Sequence, residues 1–150
     1  MAAATPKIPT LEEFRSHLRR HKLRATRQRL AVHRVMMELV HASADNVHEA
    51  LQQGGTNIST AAVYNILTQL ADYRIYGRRL SVGNKMYFDV VGTRHIHLYD
   101  RENHSYRDLA DDELAILVAS HLKHRKFKGY SLEDIDIQLI ARPTRKKKSV

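Results

Sequence analysis

Cysteine is absent from this 150-residue chain. Its absence excludes disulfides, zinc sites built on thiolates and cysteine nucleophiles, and it fits a reducing, cytoplasmic setting. Long hydrophobic runs are lacking too: the longest, Leu114 to Ala119, falls far short of the roughly 20 residues a membrane span needs. The opening residues MAAATPKIPT hold no apolar stretch of the kind that directs secretion, so no membrane partner is expected. Acidic residues are in the minority, 16 Asp and Glu against 25 Lys and Arg, for a formal net charge of +9. That excess suits a polyanionic partner, although a basic protein without one would look the same by charge alone. What the chain has in strength is an apolar fraction of 43%, enough for a folded core, and 10 histidines.

In chain order, a loose leader covers residues 1–10. From Thr10 the segment L-E-E-F-R-S-H-L-R-R reads as a helix with Leu11, Phe14 and Leu18 inside and Arg15, Arg19 and Arg20 outside. A second helix runs from an N-cap at Thr26 to about Val40, with Ala31, Val35 and Leu39 in line and Val32 and Met36 beside them, giving a wide stripe expected to be buried. Ser43 caps a third, which buries Val47 and Leu51 and stops at Gly54-Gly55. Ser59 caps a fourth, whose Val63, Ile66, Leu67 and Leu70 recur at helical spacing. Ala61, Tyr64, Asn65 and Thr68 lie on its other face, which carries no charge before Asp72. Then I-Y-G-R-R-L and K-M-Y-F-D-V, joined by S-V-G-N, read as a hairpin.

These elements predict an N-terminal winged helix-turn-helix over residues 1–90, followed by a hinge at 91–94 that contains Gly92. Over residues 95–141 the pattern gives a strand pair around R-E-N-H and an acid-capped helix from Asp111. Leu114, Leu117, Val118, His121 and Leu122 share one face of that helix. A last strand, L-E-D-I-D-I-Q-L-I, puts Ile135, Ile137 and Leu139 on one side. A small sheet with one helix and apolar faces left over predicts an α/β dimerisation domain, so the expected class is α+β. Residues 142–150 form a basic tail, expected to be disordered and at most a non-specific phosphate contact.

A recognition helix needs short side chains against base edges in the major groove. Ala61 and the methyl of Thr60 or Thr68 suit a thymine methyl, Asn65 an adenine or phosphate, and Tyr64 a phosphate or a stacked thymine, with Ser59 at the start of the same helix. Arg19, Arg20, Arg27 and Arg29, with Arg78, Arg79 and Lys85 on the wing, suit backbone phosphates of double-stranded DNA. The bland reading is a winged helix used only for protein contacts.

A second constellation consists of His41, Asp89, His95, His97 and Asp108, nitrogen and oxygen ligand types placed at element ends. His95 and His97, two apart on a strand, leave the same face. A metal gripping all five would fix the angle between the two modules. Three imidazoles and two carboxylates favour Fe(II) or Mn(II), with Zn(II) able to compete. A His-X-His pair by itself is more often a pair of surface histidines.

R-A-T-R-Q-R-L, H-A-S-A-D-N-V-H-E-A-L, I-S-T-A-A-V-Y-N-I-L, K-M-Y-F-D and H-I-H, in that order, resemble the ferric uptake regulator family. The resemblance implies a homodimeric, metal-responsive repressor of a palindromic operator, with its regulatory metal at His41, Asp89, His95, His97 and Asp108. The two aspartates and the V-Y-N of the recognition helix are similar to the peroxide-responsive branch, which implies redox-sensing roles for His41 or His95. The iron-response, haem-linked branch looks similar there and is the alternative, with haem on His95 and His97 in place of a missing thiolate. A mononuclear metalloenzyme is a remote alternative, since two histidines and a carboxylate bind catalytic iron. The chain departs from the family in several places. Asp100 and Asn103 stand where the first pair of structural zinc cysteines would fall, so no structural zinc held by paired cysteines is expected. Arg94, Ile96, Ala115 and Ile135 occupy an additional metal site they cannot serve, and Tyr73-Arg74 replaces the usual glycine after the recognition helix. One divalent metal per subunit follows.

Overall fold

The structure, a computed structural model, describes residues 7–81, 83–92, 96–109, 111–132 and 135–144. It divides into two units, one spanning Lys7–Thr93 and the other the chain from Arg94 onward. Each is built on a three-stranded sheet. Among the described residues no helix is long and apolar enough to cross a membrane.

In the first unit every helix starts on a side chain that accepts from the exposed N–H groups of its first turn. Thr10 accepts from Glu13 N–H at the head of α1 (Leu11–Arg20), and Thr26 from Arg29 N–H at the head of α2 (Arg27–Leu39). Residue Val40 ends α2 at φ 62° and ψ −56°, near the strained classic γ-turn, and hands the chain to β1 (His41–Ala42). Ser43 and Asn46 form a reciprocal capping box on α3 (Ala44–Gln53). Ser59 caps α4 (Thr60–Asp72). Phe14, Leu18, Val32, Met36, Val47, Val63, Leu67 and Leu70 meet in one core.

Arg74 closes α4 at φ 58°, with its N–H on Ala71 O at 2.9 Å and Ile75 N–H on Leu70 O at 2.9 Å. This is a Schellman ending with arginine in the left-handed position that glycine normally fills. The hairpin follows as β2 (Gly77–Leu80) and β3 (Met86–Asp89), and β1 pairs along the free edge of β3 to give the order β1-β3-β2.

One expectation is corrected here. Leu39 is 38% exposed, while Leu30 and His33 lie inside. The stacking of His33 on Phe14 and Tyr76 turns the stripe of Leu30, His33 and Met36 inward and leaves Leu39 at its edge. Of the expected hinge, Val91 is buried, and Gly92 is exposed with its Cα against the backbone of Arg74 and Ile75. A Cβ on Gly92 would come within 2.4 Å of Arg74 O and 2.7 Å of Ile75 O, so the position requires glycine. Thr93 and Arg94 lie outside the described residues.

The second unit comprises β4 (Ile96–Asp100), β5 (Ser105–Leu109), α5 (Asp112–Leu122) and β6 (Gln138–Ala141), with strand order β5-β4-β6. Asp111 caps α5, accepting from Leu114 N–H at 2.9 Å. The last strand is shorter than expected and runs parallel to β4. Ile135 and Ile137 precede it and are half-buried, and Leu139 is 39% exposed. On α5, Leu114, Val118 and Leu122 are half-buried, whereas Ile116, Leu117 and His121 face outward. One helix covers too little of a three-stranded sheet to bury both apolar faces.

The turn between β4 and β5 is closed by Asp100. Its carboxylate accepts from Glu102 N–H at 2.9 Å, Asn103 N–H at 3.1 Å and the Asn103 amide at 2.8 Å. The hydrogen bonds from Asn103 hold this carboxyl below its usual range. Hydrogen bonds from Glu102 and Asn103 to one carboxylate thus close this turn.

Candidate functional site

The first candidate site is assembled by strand register. In the first unit β1 and β3 run antiparallel with His41 directly opposite Asp89. His41 Nε2 lies 3.1 Å from Asp89 Oδ2, and both side chains are nearly out of solvent, at 12% and 8% exposure. Asp89 Oδ1 accepts from Val91 N–H at 2.9 Å, which orients the other oxygen towards the imidazole. In the second unit β4 and β5 place His97 directly opposite Asp108. There Nε2 and Oδ1 are 3.6 Å apart, again with both side chains mostly buried. The His97 ring meets the Tyr106 ring edge-on at 6.0 Å.

Each unit therefore carries one cross-strand His–Asp pair. Their donors, imidazole nitrogen and carboxylate oxygen, suit a divalent first-row ion such as Fe(II), Mn(II) or Zn(II). His95 lies outside the described residues. Sequence reasoning placed His41 at a helix end, because a two-residue strand leaves no periodic signal.

The second candidate site is the outer face of α4 with the wing. Ser59, Thr60, Ala61, Tyr64 and Asn65 are exposed there. Tyr64 is 47% exposed and sets its ring edge-on to Phe88 of β3 at 6.4 Å. Thr68 departs from expectation: it is half-buried, and its hydroxyl is shielded from solvent. A concavity of about 310 Å³ lies between Asp45 on α3, Tyr64 on α4 and Lys85 on the wing.

Arg19, Arg20 and Arg27 are exposed as phosphate contacts require. Arg29 is committed elsewhere: its guanidinium donates to Gln69 Oε1 at 2.6 Å and to Arg24 O at 2.7 Å, tying α4 to the start of α2. The wing cations have internal partners that sequence alone did not reveal. Arg78 Nη1 is 2.8 Å from Asp72 Oδ1, and Lys85 Nζ is 3.8 Å from Asp45 Oδ2. Asp45 and Lys85 stand far apart in sequence, and their pairing becomes visible only when the hairpin folds back on α3.

His33, which belongs to neither constellation, lies at the centre of the first unit. It is fully buried and stacked on Phe14 with ring centroids 4.0 Å apart and planes 2° apart. Its Nδ1 is 2.6 Å from the Tyr76 hydroxyl and its Nε2 is 2.9 Å from Pro9 O. Burial pushes its pKa down.

The model of the ferric uptake regulator family matches residues 20–139. No curated protein matches the sequence at a significant level. Solved structures do match. The Vibrio cholerae ferric uptake regulator has a TM-score of 0.69 at 24% identity, over 86% of this chain and 98% of that one. The Pseudomonas aeruginosa regulator with manganese has 0.69 at 24%, over 87% and 97%. The Helicobacter pylori regulator has 0.70 at 18%, over 95% and 99%. At these identities the likeness concerns the fold, an N-terminal winged helix followed by a small α/β unit.

Proposed function

The chain belongs to the ferric uptake regulator family, and on that basis we propose that it is a homodimeric, metal-dependent repressor of a palindromic DNA operator. Family members are transcription regulators, so the metalloenzyme alternative falls away. The observation that carries the reading is the presence of one buried, cross-strand His–Asp pair in each unit. We assign His41, Asp89, His97 and Asp108, with His95, to a single divalent ion per subunit. When bound, such an ion supplies a positive centre that neutralises the two carboxylates and takes the imidazole lone pairs.

The chain's own residues do the rest. Val91 N–H keeps Asp89 aimed at His41. Joining the two pairs would tie the winged helix to the second unit and set the two recognition helices of a dimer at operator spacing. A dimer is supported by the apolar Ile116, Leu117 and Ile140, exposed at 65%, 67% and 57% on the second unit. Among structural neighbours, the Pseudomonas aeruginosa protein was solved with manganese and another is a zinc-bound manganese uptake regulator, which favours a divalent ion here as well. The aspartates at 89 and 108 favour the peroxide-responsive branch by resemblance, with His41 and His95 as the residues oxidised.

The test is operator binding by the full chain with Fe(II), Mn(II), Zn(II) or chelator, on duplexes selected from a random pool, with bound metal measured by equilibrium dialysis. Binding lost in chelator, one ion per subunit, and loss of both on Asp89→Asn are expected. DNA affinity indifferent to chelator would make the protein a metal-independent DNA-architectural factor instead.

A further inference from the structure

The second unit displays a turn that neither the His–Asp pairs nor the α4 face uses. Between α5 and β6 the sequence Lys123–Tyr130 reads K-H-R-K-F-K-G-Y, with Lys123, Arg125, Lys126 and Lys128 and no acidic residue. Phe127 and Tyr130 are antiparallel bridge partners, and Tyr130 N–H donates to Phe127 O at 2.9 Å. Gly129, at φ +84°, permits this tight reversal. The turn holds the two aromatic residues out: Phe127 is 40% exposed and Tyr130 83%. They line a concavity of about 500 Å³ together with the four cations. Among the described residues the carboxylate ion pairs lie elsewhere, and Arg125 meets only His121 Nε2, at 3.3 Å.

Cations without a carboxylate partner among the described residues, set around exposed rings, call for a ligand that is both polyanionic and aromatic. We propose that this turn binds single-stranded nucleic acid, with phosphates along the cations and bases stacked on Tyr130 and Phe127. A duplex fits less well, because its base faces are already stacked and a tight turn offers phosphate contacts only. An acidic peptide would satisfy the cations and leave the rings without partners. A second copy docked turn against turn would bring two like-charged clusters together.

The experiment uses the full chain and a fluorescein-labelled oligothymidylate of roughly 12 nucleotides, read by anisotropy. The double variant Phe127→Ala/Tyr130→Ala is expected to weaken strand binding by at least about 10-fold, since each stacked base contributes a factor of roughly 5 to 150. Its affinity for duplex operator should stay unchanged. The chain contains no tryptophan, so Tyr130→Trp places a single reporter at the turn, and its emission should be quenched by the strand while binding is retained. Strand affinity equal to wild type in the double variant would overturn the proposal. So would a tryptophan signal from the Tyr130→Trp protein that responds to duplex as strongly as to strand, only to vesicles of anionic lipid, or to protein dilution alone.

Discussion

Replacing His33 with phenylalanine separates hydrogen bonding from packing at the centre of the first unit. The Pro9 carbonyl 2.9 Å from Nε2 can only accept, so Nε2 carries the proton and Nδ1 accepts from the Tyr76 hydroxyl at 2.6 Å. Phenylalanine keeps a ring against Phe14 but strands the buried Tyr76 hydroxyl and the Pro9 carbonyl. At about 1–3 kcal/mol for each unsatisfied group, with some relaxation, a loss of about 2–4 kcal/mol is expected. Adding Tyr76→Phe removes one stranded group and should recover about 1–2 kcal/mol, a non-additivity that urea denaturation of the four proteins in the cycle would measure. Acid supplies a second readout. Burial depresses the pKa of His33 in the folded chain, so the unfolded chain takes up its proton first. Stability should therefore fall as pH drops below the unfolded value of about 6.5, and the phenylalanine variant should lack that component. A His33→Phe protein within about 0.5 kcal/mol of wild type, or strictly additive variants, would refute the network.

Other substitutions test the remaining features. Arg74→Gly relieves the left-handed residue at the end of α4 and should raise the urea midpoint, worth up to about 1 kcal/mol; a lowered midpoint contradicts the strain. Gly92→Ala drives a Cβ into Arg74 O and Ile75 O and should cost about 1–3 kcal/mol by the same assay, whereas a silent substitution would show that the contact yields freely. Asp72→Asn frees Arg78 from its 2.8 Å partner. The released guanidinium should tighten duplex binding by about 1.5- to 5-fold at low salt, less at high salt, and weaker binding would show that the ion pair positions the wing instead of competing with phosphate.

The helix starts were legible because each rests on a local device: Thr10, Thr26, Ser43, Ser59 and Asp111 are side-chain caps that act over three residues. The inner face of α4 was legible for the same reason, since Val63, Leu67 and Leu70 recur at helical spacing and are buried. What was hidden depends on distant partners. Strand β1 is two residues long and exists only because β3 offers it an edge. The choice of Leu30 and His33 over Leu39 depends on where Phe14 and Tyr76 stand, and the pairing of Arg29 with Gln69 on the approach of α4. The parallel β6 is short because its partner β4 sets how much can pair, which periodicity over Leu132 to Ile140 overstated.

Both His–Asp pairs are facing residues on antiparallel strands, and strand side chains alternate between faces. A slip of one residue in β1 would set Ala42 against Asp89 and turn the imidazole to the opposite side. With β1 so short, its alignment rests on the sharp reversal at Val40 and on the hydrogen bond from Val90 N–H to Val40 O at 3.0 Å. On the proposed metal assignment, ligand capture would be a form of proofreading: a chain with a misaligned β1 would lose the His41–Asp89 half of the donor set and gain less by mass action, while a correctly paired one would be held in its pairing. An insertion or deletion near the end of α2 should then erase metal affinity long before it erases helical content.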